Sequence, residues 1–152
     1  MKKGFTLIEL LIVMVLVGVL VTVALPKYYS SMERGRVLEA VNNLRAASEA
    51  VNAAYIINGN AYPARSALQE NGKLRGDFTK SVSFTAPAII ASSGQSISIS
   101  LSRSGGDSYS LMAYNSSGDL RSIECYGTDA AKICENVGFE KDGSKYKMDF
   151  TK

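Results

Sequence analysis

The pattern of hydrophobic and polar positions changes twice along the chain. From Phe5 to Leu25 there are 21 residues in which Glu9 is the only charge and Thr6 and Thr22 are the only hydroxyls. As a helix rising about 1.5 Å per residue, this run is roughly 31 Å long, about the thickness of a bilayer's hydrocarbon core. Beyond Pro26 the pattern turns amphipathic. Val37, Val41, Leu44, Ser48, Val51 and Tyr55 recur at steps of three or four, while Glu39, Asn42, Arg45, Glu49 and Asn52 occupy other faces. The spacing predicts a helix that continues to about Ile57, where Asn58-Gly59 stops it. Breaks at Tyr62-Pro63, Asn71-Gly72 and Ala86-Pro87 then predict a loop-rich connection over 58–94, with a short helix near Arg65–Glu70.

Period-two alternation takes over in the last third. Ile97, Ile99 and Leu101 alternate with serines. Tyr109, Leu111 and Ala113 follow Gly105-Gly106, and Leu120 to Cys125 follows a turn at Asn115–Gly118. Tyr146, Met148 and Phe150 alternate with Lys145, Lys147 and Asp149. Short connections between such runs predict an antiparallel sheet with one face packed on the long helix. The expected fold class is α+β. A long N-terminal helix, its apolar half protruding, packs through its second half on a small sheet of about four strands.

The apolar run admits three readings. A secretory signal has an apolar region of about 7–15 residues and a small-residue cleavage site; this run is longer and ends in Ala24-Leu25-Pro26-Lys27. A plain membrane anchor fits the length, and Lys2 and Lys3 would keep its N-terminus cytoplasmic, but it leaves Glu9 without a role. A carboxylate at a bilayer's centre costs about 2.5–3.5 kcal/mol on insertion scales, so an ionisable group inside a span is a candidate functional residue. The third reading has Glu9 capping its own helix N-terminus, where negative charge is favoured.

Charge and composition narrow the function. The formal net charge is +3, and removing Lys2 and Lys3 leaves 15 Lys plus Arg against 14 Asp plus Glu, which gives no electrostatic case for binding nucleic acid. The chain has no histidine, so Ser-His and Cys-His catalytic arrangements are impossible. No phosphate-cradling glycine loop occurs, and the two cysteines have no companions spaced for a zinc site. No cofactor, metal site or catalytic residue is expected. Glu140, Asp142 and Asp149 keep a calcium loop open.

The opening MKKGFTLIELLIV resembles the N-terminus of type IV pilin precursors, the prepilin and pseudopilin superfamily, and in particular type IVa-like major pilins. The match rests on Gly4, Phe5, Thr6, Leu7, Ile8 and Glu9 and on the apolar run behind them. It covers about residues 1–26; the rest is similar in layout. The resemblance implies a leader of residues 1–4, cut between Gly4 and Phe5 by a prepilin peptidase that then methylates the Phe5 amine. It implies a membrane-spanning and filament-core segment over 5–26, and a globular head over 27–152. Within the head it implies the second half of the helix (27–57), a connecting region (58–94) and a sheet with a cysteine-bounded loop (95–152). Glu9 of one subunit would meet the Phe5 amine of a neighbour, and Gly18 and Pro26 would loosen the helix on assembly. Export would oxidise Cys125 and Cys134, whose small loop resembles the disulfide region of many type IV pilins; two reduced, buried cysteines are the alternative.

The implied function is a structural subunit of a type IV pilus, with identical subunits, the peptidase and an inner-membrane assembly platform as partners. It would sit in the bacterial inner membrane as a single-pass precursor and in the extracellular pilus after assembly, serving adhesion or motility. A type II secretion pseudopilin, a minor pilin and a membrane-anchored enzyme or sensor are the alternatives.

Overall fold

A computed structural model describes residues 5–76, 78 and 83–151. The chain falls into two compact units, Met1–Glu33 and Arg34–Lys152. Helix α1 (Leu7–Ile57) is the first element, and Pro26 lies inside it. In the first unit every described residue up to Ser31 is exposed, including the whole apolar run.

The second unit has a single core. The predicted helical stripe is buried throughout: Val37, Val41, Leu44, Ser48, Val51 and Tyr55, joined by Ala40, Asn43 and Ala47. Small residues at 40 and 47 widen the buried face beyond the predicted stripe and bring the helix backbone close to its neighbours. After α1 come α2 (Arg65–Leu68) and a two-stranded hairpin, β1 (Gln69–Glu70) and β2 (Lys73–Leu74). The expected helix over 65–70 therefore stops two residues early. Asn71 and Gly72 both have positive φ, 51° and 77°, the geometry of a tight hairpin turn, and this draws Gln69 and Glu70 into strand pairing.

The main sheet is antiparallel, and among the described residues it has six strands in the order β3-β4-β5-β6-β8-β7. They are β3 (Ala88–Ser93), β4 (Ser96–Ser102), β5 (Ser110–Ser116), β6 (Asp119–Tyr126), β7 (Glu140–Asp142) and β8 (Lys145–Asp149). Four of these are the strands predicted; β3 and β7 are additional, and both are edges. β3 takes up the end of the segment expected to be a loop. Its register shifts between Ile89 and Ala91, which breaks the alternation: after buried Ile89, Ile90 and Ala91 are both exposed. β7 is Glu-Lys-Asp, exposed at every position, so it carries no hydrophobic signal.

On the inner face Ile89, Ile97, Ile99, Leu101, Leu111, Ala113 and Ile123 form one core with the helix stripe. The end of α1 is tied to the β5–β6 turn by tyrosines. The Tyr55 and Tyr62 rings lie 4.7 Å apart, Tyr62 donates to Asn52 Oδ1 at 2.8 Å, and the Gly118 N–H donates to Tyr62 Oη at 3.2 Å. Gly118 has φ +85°, and a Cβ there would come within 3.1 Å of the Tyr55 ring.

The opposite face is polar. Glu124, buried, pairs with Lys145 at 2.5 Å. Tyr126 lies nearby on β6; burial, then Tyr114 and Glu124, push its hydroxyl up to about 12 from an ordinary 10.0. The neutral phenol is the form the fold accepts, so its contribution to stability is complete below pH 10.0 and is lost as pH rises from there towards about 12. Burial raises Tyr62 and Tyr114 as well, so ultraviolet titration of tyrosinate should show several late-ionising tyrosines, with a phase near 12 that Tyr126→Phe removes. A Tyr126→Phe chain retaining that late phase would contradict the assignment.

Candidate functional site

The N-terminal site is built by the first turn of α1. Thr6 stands just before the helix, and Glu9 is in its first turn. The Thr6 N–H donates to Glu9 Oε2 at 2.9 Å, and the Thr6 hydroxyl donates to the same oxygen at 2.7 Å. The Glu9 N–H in turn donates to Thr6 Oγ1 at 3.4 Å. This reciprocal Thr-x-x-Glu arrangement is a capping box, which satisfies backbone donors that the first turn of a helix otherwise leaves unpaired. A negative charge is also favoured there by the helix dipole. Within the single chain, then, Glu9 caps its own helix. The signal was present in the sequence as Thr6 and Glu9 three residues apart, but the capping role of Thr6 was missed.

Phe5 precedes this box and is 82% exposed, so the junction is accessible on the described side. Gly4, with the rest of the expected leader over 1–4, lies outside the described residues. Gly18 sits mid-helix, and a Cβ added to it would meet nothing within 4 Å. No packing inside this chain requires glycine there. Pro26 is accommodated without ending the helix, although it has no N–H to offer the carbonyl of Thr22. The Thr22 hydroxyl donates to the carbonyl of Val19 at 2.7 Å, which settles one polar group inside the apolar run. Glu9, Gly18 and Pro26 are spread along one helix and are not brought together.

At the far end of the chain, Cys125 and Cys134 form a disulfide with Cα atoms 6.5 Å apart, both fully buried. It joins the end of β6 to α3 (Ala130–Cys134), which continues through a tight 3-10 turn (Glu135–Val137) to Gly138. Gly138 has φ +95°, the left-handed conformation that ends such turns. Thr128 does not cap α3. Asp129 holds the N-cap position and accepts from the Ser108 N–H at 2.6 Å, with no side-chain cap bond to the helix. The carboxylate binds the neighbouring loop, so the disulfide-bounded segment is pinned to residue 108. Gly127 makes that approach possible, since a Cβ there would fall 2.4 Å from the Ser108 carbonyl oxygen.

Among the described residues no group of three or more His, Cys, Asp or Glu side chains is placed to hold a metal. The Asp149 carboxylate accepts from both the Thr151 hydroxyl and the Thr151 N–H and pairs with Lys147, contacts that lower its pKa well below the ordinary carboxylate value. Asn115 is buried, so Asn115-Ser116-Ser117 does not present its asparagine for glycosylation.

The capping box makes a measurable difference to the helix start. Thr6→Ala removes both hydroxyl contacts and should cost about 1 kcal/mol of local helix stability, seen as faster amide exchange at Leu7 to Glu9 in detergent micelles. Thr6→Ser should restore protection. Unchanged exchange in Thr6→Ala would contradict the box.

Comparison with known proteins agrees with these features. Residues 1–25 match the family profile described as the prokaryotic N-terminal methylation motif. A fimbrial protein of Neisseria meningitidis serogroup B is 36% identical over 85 residues, covering 54% of this chain and 49% of that protein. The type IV major pilin protein PilE of Neisseria gonorrhoeae is 35% identical over 85 residues, covering 54% of this chain and 50% of that protein. Fimbrial protein Q of Moraxella bovis is 43% identical over 53 residues, covering 35% of this chain and 34% of that protein. The chain spans about half the length of the first two relatives. No solved structure matches. The methylation-motif match, the relatives named as pilins and the long helix packed through its second half on an antiparallel sheet together support a type IV pilin.

Proposed function

We propose that this chain is a structural subunit of a type IV pilus that polymerises through its N-terminal helix. The observation that carries the reading is the exposed apolar run from Phe5 to Leu25 with a single carboxylate at its start. Leader removal between Gly4 and Phe5 would expose a cationic amine on Phe5, and methylation of that amine leaves its charge in place. The lysines of the leader would hold the scissile bond at the cytoplasmic face. Before assembly the membrane holds the apolar run, and Thr6 supplies Glu9 with partners. In the filament, neighbouring helices replace lipid, and Glu9 gives up part of its capping contact to meet the Phe5 amine of the next subunit.

A charge in an apolar interior is penalised unless paired, so one subunit's Glu9 has a single favourable axial position against its neighbour. The missing side chain at Gly18 lets helices approach closely, and the unpaired Thr22 carbonyl beneath Pro26 gives the helix a place to loosen. The disulfide holds the C-terminal loop of the head closed in an oxidising compartment. Identical subunits, a prepilin peptidase and an inner-membrane platform are the partners this role requires.

Removing one partner of a buried ion pair costs about 3–5 kcal/mol, a penalty repeated at every subunit of a fibre. Glu9→Ala should accumulate in the membrane, cleaved at Phe5, with surface filaments lost under electron microscopy. Wild-type numbers of filaments from Glu9→Ala cells would overturn the register role of Glu9.

A further inference from the structure

The apolar run ends in a group that the assembly reading leaves without a task. Lys27, Tyr28 and Tyr29 follow Pro26 directly, and all three are exposed in the first unit. The two tyrosines are 62% and 61% exposed, with ring centroids 6.3 Å apart and planes at 67°.

We infer that Lys27, Tyr28 and Tyr29 form an interfacial anchor that seats the helix in the headgroup and glycerol layer of the non-cytoplasmic leaflet. The inference rests on the membrane-spanning reading of residues 5–25. Three observations support lipid as the occupant. The run from Phe5 to Leu25 is about as long as a hydrocarbon core is thick, so its far end lies at a bilayer's edge. Tyr28 comes three residues later, about 4.5 Å further along the axis. Helical side chains lean towards the helix N-terminus, so both rings fall back over the level of Leu25 and Pro26, at the boundary itself. A tyrosine there keeps its ring in the apolar layer and its hydroxyl among the ester and phosphate oxygens. The Lys27 ammonium can reach the phosphates beside them.

An anchor at each end fixes the depth of the helix: Lys2 and Lys3 before the run, Lys27 with the two tyrosines after it. Glu9 then lies in the first turn inside the cytoplasmic boundary rather than at the bilayer centre, where a carboxylate is most costly.

The chain contains no tryptophan, so a single introduced indole reports its own depth. The uncleaved chain would be reconstituted in phosphatidylcholine–phosphatidylglycerol vesicles as Tyr28→Trp and, separately, as Val15→Trp. Quenching would be compared for lipids brominated near the glycerol and near the chain ends. The expected result is strongest quenching of Tyr28→Trp by the shallow bromines and of Val15→Trp by the deep ones. Replacing Tyr28 and Tyr29 by serine in the Val15→Trp chain should shift its quenching maximum away from the deep bromines. Deep quenching of Tyr28→Trp, or none while Val15→Trp is quenched deeply, would overturn the anchor and leave the membrane span standing; the latter result would point to water or a second copy as the occupant. Loss of lipid quenching in both would overturn the span and the anchor with it. An unmoved maximum in the double-serine chain would overturn the depth-setting role.

Discussion

The structure depends on one unsatisfied constraint: an apolar helical segment that its own chain does not cover. Sixteen large hydrophobic side chains between Phe5 and Leu25 are exposed, none less than 44%. Burying such a side chain is worth about 1.5–3 kcal/mol, so the whole run represents on the order of tens of kcal/mol, more than the 5–15 kcal/mol that typically separates a folded domain from its unfolded state. The run is exposed in the chain as it stands, and its polar groups are satisfied within the helix itself. Thr22 bonds within the helix, and Glu9 is satisfied by Thr6. On the proposed reading, a carboxylate held by its own helix would be tolerated in a membrane until a cationic partner arrives.

The second unit answers the opposite requirement, a fold that stands without the first segment. Its part of α1 supplies one wall of a core whose other wall is the six-stranded sheet, and the disulfide closes the chain's last loop against β6. The contacts that hold the surface loops are specific and link segments separated in sequence: Tyr62 against Asn52 and Gly118, and Asp129 against Ser108. On the outer face of the sheet Glu124 of β6 pairs with Lys145 of β8 across the strands, while Lys147 and Asp149 pair along β8.

Much of this was legible in the residue pattern because burial imposes a period. The six stripe positions from Val37 to Tyr55 are all buried, and the inward residues of β4 and β5 follow the alternation. Edge strands escape that logic. β3 carries a register shift, and β7 buries nothing, so neither leaves a period to read, and about four strands were expected where six are described. The Asn71-Gly72 pair was visible as a break, but its role as a hairpin turn depends on flanking strands only two residues long. In the cysteine-bounded loop the side chain that organises the turn is Asp129, engaged with a loop distant in sequence, which no local pattern announces. At the N-terminal site Glu9 was conspicuous because a charge is rare in such a run. Thr6 was not, because its Thr-x-x-Glu spacing to Glu9, a capping signature, sits inside a run that draws attention for its hydrophobicity.

The most direct test of the central claim is the intact mass and N-terminal sequence of protein sheared from the cell surface. The account predicts a released product that begins at Phe5 and carries one added methyl group. A processed chain that stays in the envelope while shearing releases nothing would contradict the surface filament. A membrane form still beginning at Met1 would contradict the processing on which Glu9's partner depends.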